Sequence, residues 1–103
     1  MGMELKAGTR LRSATETTEV VVVKAPGEAI DLRCGGQPLV TIDTDVTPAG
    51  VATGFDGGTQ LGKRYADEAL GLELLCTKAG EGSLSVGDTI LEVKGAKPLP
   101  ASD

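Results

Sequence analysis

Cys34 and Cys76 carry the softest donors and strongest nucleophiles in a chain that contains no histidine. Without imidazole, Ser/His and Cys/His acid–base pairs and His-ligated catalytic metals are excluded, and most small hydrolase mechanisms go with them. The Gly35-Gly36 pair after Cys34 lets backbone N–H groups approach the sulfur, which would favour an exposed thiolate. An unpaired cysteine is more often a small buried hydrophobe, and that is the reading adopted for Cys34. Cys76 follows Leu74-Leu75 in an apolar run and reads as a core residue. Should the two thiols meet Glu16 or Asp67, the set would suit one soft metal ion, zinc or iron. Their spacing does not demand it, because neither cysteine belongs to a C-x-x-C pair.

Other motifs carry less. Gly57-Gly58-Thr59-Gln60-Leu61-Gly62-Lys63-Arg64 fits G-x-x-x-x-G-K but has Arg where a phosphate-binding loop supplies Ser or Thr to Mg²⁺. It also lacks a buried strand before it and a long helix after it. Its glycines are expected to let an extended linker turn, with Lys63 and Arg64 leaving a modest anion-attracting spot. Asp43-Thr44-Asp45 begins like a Ca²⁺ loop, but Pro48 stands where that loop needs Gly and the closing Glu is missing, so a solvated acidic turn is expected. Asp31, Glu28 and Glu81 read as solubilising charges near turns. Asp67 and Glu68 are adjacent, and neighbours on a strand face opposite ways, which makes them a poor acid–base pair.

Composition narrows the rest. A chain of 103 residues allows one small domain or two very small modules. A net charge of −5, 2% aromatics and no basic cluster give neither the phosphate-neutralising charge nor the stacking platforms of a nucleic-acid binder. The longest apolar run, Val20 to Val23, is far short of the ~20 residues of a membrane span, and Met1-Gly2-Met3-Glu4-Leu5-Lys6 has no apolar leader. Lys6 also breaks a myristoylation signal. A soluble, cytoplasmic protein without nucleic-acid or membrane partners is expected.

The elements that must position these residues read as all-β. Glu19 to Lys24 is a β-branched strand, and Ile30 to Cys34 alternates apolar with polar. Ala25-Pro26-Gly27-Glu28 between them suggests a hairpin turn. Leu39 to Ile42 reads as a third strand or edge. A second set follows: Leu70 to Thr77, a turn at Lys78 to Gly82, a return strand at Ser83 to Val86, and Ile90 to Val93. Ala66 to Leu70 is the one candidate for a short helical turn, and the tail from Pro98 is expected to be extended or frayed. The organisation predicted is a first three-stranded unit over 1–44, a Gly-rich linker over 45–59, a second unit over 60–98 and a tail over 99–103.

The two units look duplicated. A shift of 54 positions places Gly8 on Gly62, Arg10 on Arg64, Glu19 on Glu73, Lys24 on Lys78 and Ala25 on Ala79. Beyond the turn the register slips by two or three residues, aligning Leu32 with Leu84, Cys34 with Val86, Gly36 with Gly87 and Leu39 with Ile90. Neither half buries enough surface to stand alone, so each is expected to serve as the other's packing partner.

The first half resembles the desulforedoxin and rubredoxin-like zinc ribbon, a metal knuckle followed by a strand, a Gly-containing turn, a return strand and a second knuckle. Arg12-Ser13-Ala14-Thr15-Glu16-Thr17-Thr18-Glu19-Val20-Val21 resembles the first knuckle and strand, and Leu32-Arg33-Cys34-Gly35-Gly36-Gln37-Pro38-Leu39 the second knuckle. The resemblance covers about residues 8–40 and, more faintly, 62–93. It implies ligand positions at Ser13, Glu16, Cys34 and Gly35, of which only Cys34 keeps its thiolate, and in the second half near Asp67, Leu70 and Val86, where no cysteine stands. The expectation is a tandem ribbon whose metal ligands have largely been lost, with no cofactor. Its expected function is that of a small acidic, non-catalytic binding or accessory module for a protein partner or for self-association. The alternative is a zinc- or iron-binding or redox protein using Cys34, with Cys76, Glu16 and Ser13 as further ligands.

Overall fold

Short β-branched and Leu-rich segments separated by Gly, Pro and Asp turns cannot build a helix long enough to be stable, and the computed structural model, which describes residues 4–46 and 50–93, contains only strands and turns. The start at Met1-Gly2, Pro48, the last residues of the predicted second unit and the tail lie outside the described residues. The strands are β1 (Arg10–Arg12), β2 (Glu19–Lys24), β3 (Leu32–Cys34), β4 (Gln37–Pro38), β5 (Val40–Thr41), β6 (Arg64–Asp67), β7 (Leu72–Lys78), β8 (Leu84–Val86), β9 (Thr89–Ile90) and β10 (Glu92–Val93). They form two antiparallel sheets, one ordered β10-β6-β7-β2-β1-β5 and the other β4-β3-β8-β9. All-β is therefore the fold class. Among the described residues no helix is long and apolar enough to cross a membrane.

The predicted hairpins are not formed. β2 pairs with β1 on one side and β7 on the other, so both of its edges are occupied and β3 cannot join it. Ala25 to Glu28 instead carries the chain from one sheet to the other, where β3 pairs with β4 and β8. The turn at Lys78 to Gly82 does the same for β7 and β8. Pro-Gly chemistry marks a change of chain direction equally well for a crossover between sheets. Three strands escaped the sequence reading: the two-residue β4, and β1 and β6, which each carry a single large apolar side chain, Leu11 or Tyr65, among polar neighbours. Ala66 and Asp67 consequently end β6, and the expected helical turn shrinks to the bend over 68–71.

Exchanging β1–β5 for β6–β10 turns each sheet order into its own reverse. Local hydrogen bonds repeat as well. Thr9 N–H donates to Lys6 O, Gly8 N–H to Val22 O and Val22 N–H to Thr9 O; 54 positions on, Lys63 donates to Gln60, Gly62 to Cys76 and Cys76 to Lys63. After the crossover the offset is 52, with Leu39 N–H to Leu32 O matched by Leu91 N–H to Leu84 O. Gly35 then corresponds to Gly87, and both have positive φ, 67° and 58°. The alignment of Gly36 with Gly87 and Leu39 with Ile90 is thus one residue out.

The core lies between the sheets and holds Leu11, Val20, Val22, Leu32, Leu39, Leu72, Leu74 and Leu84. The halves meet at two central pairings, β2 with β7 and β3 with β8, so they share sheets as well as a core. Close approach at the second pairing depends on Gly82: a Cβ there would meet Gly35 N at 2.8 Å and Cys34 Sγ at 3.1 Å. Gly82→Ala should lower unfolding stability by about 2 kcal/mol, as overpacking does. Gly27→Ala, where a Cβ meets nothing within 4 Å, should leave it within about 0.5 kcal/mol. Urea unfolding of the two variants checks both.

Candidate functional site

The bend between β1 and β2 builds the site. Ser13 is fully buried, and its Oγ accepts the N–H groups of Thr15 at 3.0 Å and Glu16 at 3.1 Å, folding the chain so that Glu16 points inward. Oε1 of Glu16 accepts the Thr18 N–H at 2.5 Å. Oε2 accepts the Thr18 hydroxyl at 2.8 Å and, across the molecule, the Gly82 N–H at 2.7 Å. Cys34 Sγ on β3 stands 3.9 Å from Oε1, with its thiol directed at the carboxylate.

Proton counting extends the network. Thr18 gives its only hydroxyl proton to Glu16, so the 3.0 Å contact between Thr18 Oγ1 and Thr59 Oγ1 must use the Thr59 proton. Thr59 Oγ1 is then free to accept the Gly80 N–H at 2.9 Å. Cys76 on β7 lies against Thr59, and its thiol donates to Lys78 O at 3.3 Å. Thr17 adds a bond to Ala79 O at 2.9 Å. The Gly-rich segment 50–57 is tied down: Ala52 N–H donates to Gly35 O, Ser83 N–H to Phe55 O and Gly57 N–H to Ser83 Oγ, which lays 50–57 over the site. Gly80 has no room for a side chain, since a Cβ would run into the Glu16 carboxylate.

The electrostatics follow from this packing. Burial pushes the Glu16 carboxyl upward, but the N–H of Gly82, the hydroxyl and N–H of Thr18 and the hydroxyl of Ser13 outweigh it, and the net shift is downward. Burial raises the Cys34 thiol, the negative charge of Glu16 adds to it, and the result is about 12. Burial likewise raises Cys76. Both cysteines are free, and both are held as neutral thiols.

Ser13, Glu16 and Cys34 thus come together, with Cys76 reached through Thr18 and Thr59. Asp67 does not join them. Its Oδ1 accepts the N–H groups of Ala69 at 3.1 Å and Leu70 at 3.3 Å, the same pattern that Ser13 makes 54 positions earlier. Among the described residues no three His, Cys, Asp or Glu side chains stand close enough to share one metal ion. The Gly57–Arg64 motif opens onto strand β6 instead of a helix; Thr59 is taken into the buried network and Arg64 pairs with Glu73 at 3.3 Å. Asp43 and Asp45 are exposed, and Asp31 pairs with Arg33 at 2.8 Å. Sequence reasoning missed Thr15, Thr18, Thr59, Gly80 and Gly82. The available signal was the polar run Ser13 to Thr18 beside a strand, too polar to be core unless its groups satisfy one another.

Comparison with known proteins finds no matching family model and no match among curated proteins or solved structures.

Because the folded pKa of Glu16 lies below its ordinary value of 4.5, its contribution to stability is complete above that value and is lost as pH falls through the folded pKa. Glu16→Ala, which orphans the donors of Thr18 and Gly82, should therefore cost about 3 kcal/mol at pH 7, and the difference from wild type should shrink below about pH 4. Urea titrations across that range measure it. For the thiols, a disulfide reagent at about pH 8 should label neither cysteine until the chain is unfolded.

Proposed function

We propose that the chain is a small acidic, non-catalytic binding or accessory module that recognises a protein partner or pairs with itself in the cytoplasm. The observation that carries this reading is how the reactive groups are used. Glu16 is saturated by donors and joins the two halves through Gly82, and Cys34 is fully buried as a neutral thiol beside it. What remains for recognition is the surface, where the open edges β5, β10, β4 and β9 offer main-chain groups for strand addition. β9 adds a half-exposed Ile90.

The same reading treats the molecule as a duplicated rubredoxin-like ribbon in which metal ligands have largely been lost. Its supports are the recurrence of hydrogen bonds at offsets of 54 and, past the crossover, 52, and the paired acceptor roles of Ser13 and Asp67 at the two knuckle-like bends. The second reading, a zinc or iron protein using Cys34 with Cys76, Glu16 and Ser13, is favoured by their gathering around one seam.

Metal analysis with native mass measurement separates the two. The module reading expects no stoichiometric zinc or iron, and a Cys34→Ala variant with the same oligomeric state as wild type. Stoichiometric metal that co-purifies with the chain and disappears in Cys34→Ala overturns it in favour of the metal protein.

A further inference from the structure

Directly opposed residues of an antiparallel pair stand on the same face, so the register of the six-stranded sheet arranges its outward side chains in rows. One row runs Arg64, Leu75, Val21 and Arg10 across β6, β7, β2 and β1. It faces away from the core. Its chain neighbours Leu11, Val20, Val22, Leu74 and Cys76 are buried, whereas Arg10 and Arg64 are exposed and Val21 and Leu75 only partly covered. Among the described residues no further sheet or helix lies on that side. A shift of 54 carries Arg10 onto Arg64 and Val21 onto Leu75, which makes the apolar pair the centre of the duplication. The flanking rows break this symmetry. Arg12 on β1 stands between Glu19 and Val40, where the second half has Ala66 between Glu73 and Glu92. Arg64 pairs with Glu73 at 3.3 Å and Lys78 with Glu19 at 3.9 Å, but among the described residues Arg10 and Arg12 form no ion pair. Arg12 Nε is moreover buried with no acceptor, a state that buried donors seldom keep. In a chain of net charge −5, unpaired positive charge thus gathers on β1, beside an uncovered apolar centre.

We propose that this face docks an acidic amphipathic helix of a protein partner, with its apolar stripe on Val21 and Leu75 and two carboxylates on Arg10 and Arg12. The inference rests on the reading of the chain as a binding module, and it gives that module a surface and its partner a chemistry. A sheet face open on one side is the layer that helices cover in two-layer folds. Arg10 and Arg12 are two residues apart on one strand, so they stand about 7 Å apart. Carboxylates four residues apart on a helix are separated by about 6 Å along its axis, which matches a helix lying along β1. A guanidinium binds a carboxylate with two parallel hydrogen bonds, and one drawn outward from Arg12 also ends the isolation of its Nε. Phosphates would suit the same arginines, but these rows hold no aromatic ring on which bases stack, and the overall negative charge repels a long polyanion. A second copy presenting the same face would set arginine against arginine.

The test is an NMR titration of the isotope-labelled full chain with a synthetic helix of leucine, alanine and glutamate, its glutamates flanking the leucine stripe at four-residue spacing. The amides of Arg10, Arg12, Val21, Val40 and Leu75 are expected to shift together and saturate at one peptide per chain. The same peptide with lysine in place of glutamate should bind at least about tenfold more weakly, and Arg10→Gln and Arg12→Gln should each weaken the glutamate peptide by up to about fivefold. Lys63→Gln, which removes the same charge from a turn away from these rows, should leave binding unchanged; unchanged urea midpoints show that all three variants are folded. No shifts, equal binding of the lysine peptide, insensitivity to both arginine variants, or larger shifts of the same amides with a short oligothymidylate or with the chain's own concentration would each overturn the proposal. Its failure is distinct from that of the module reading. Shifts confined to the β4 or β9 edge overturn this face and leave the module standing, whereas stoichiometric metal that disappears in Cys34→Ala removes the module reading itself.

Discussion

A carboxylate taken out of water must be held by donors or give up its charge, and Glu16 is held by donors drawn from both halves of the chain. Everything around the seam is arranged for that. Ser13 bends the chain so that Glu16 turns inward, Gly82 brings its backbone N–H close enough to reach it, Gly80 leaves the carboxylate room and donates to Thr59, and Thr18 relays the network to Thr59. Cys34 is silenced by its burial and, beyond that, by the charge that it approaches. A nucleophile placed beside a buried anion in a dry site has no means of ionising near neutrality, which is why the geometry that gathers the reactive residues also denies them reactivity.

At the offsets of 54 and 52 between matching hydrogen bonds, Glu16, Thr18, Thr59, Cys76 and Cys34 fall on Leu70, Leu72, Leu5, Val22 and Val86, a second and apolar seam, so this solution is not imposed by the topology. Five side chains that are polar or sulfur-bearing at the first seam are Leu or Val at the second, with the same strands pairing on either side. Buried polar clusters can often be replaced by apolar residues of similar volume at no loss of stability, although breaking one partner out of such a cluster is costly. The polar seam is then all-or-none: it tolerates completion or wholesale replacement, and single changes leave orphaned donors. The apolar seam degrades gradually, in proportion to the surface that each side chain loses.

The sequence was informative where local pattern and tertiary role agree. Val20 to Val23 and Leu72 to Cys76 announced strands because β-branched and apolar residues in short runs have few other places to go. It was misleading where pairing decides. Nothing local to Pro26-Gly27 says whether the next strand folds back on β2 or crosses to another sheet; that depends on β7, some fifty residues away, occupying the free edge of β2. Strands β1 and β6 were hidden because their outward residues are Arg, and a three- or four-residue strand with one buried side chain has almost no periodic signal.

The site was half legible for a related reason. Glu16 and Cys34 stood out as chemically distinctive residues, but their significance lies in partners that have no side-chain signature at all. The Gly82 N–H lies 66 positions from Glu16, and glycine in a turn is read from sequence as freedom of φ. Here Gly80 and Gly82 have ordinary φ, and their contribution is the absence of a Cβ where a carboxylate and a backbone amide must pass. The positions matched at the apolar seam are Pro26 and Ile30, residues with side chains, because Leu70 asks for no main-chain donor. The glycines of the 79–82 turn and the carboxylate of Glu16 are therefore one requirement expressed at two distant places in the chain, and either without the other would leave the seam open.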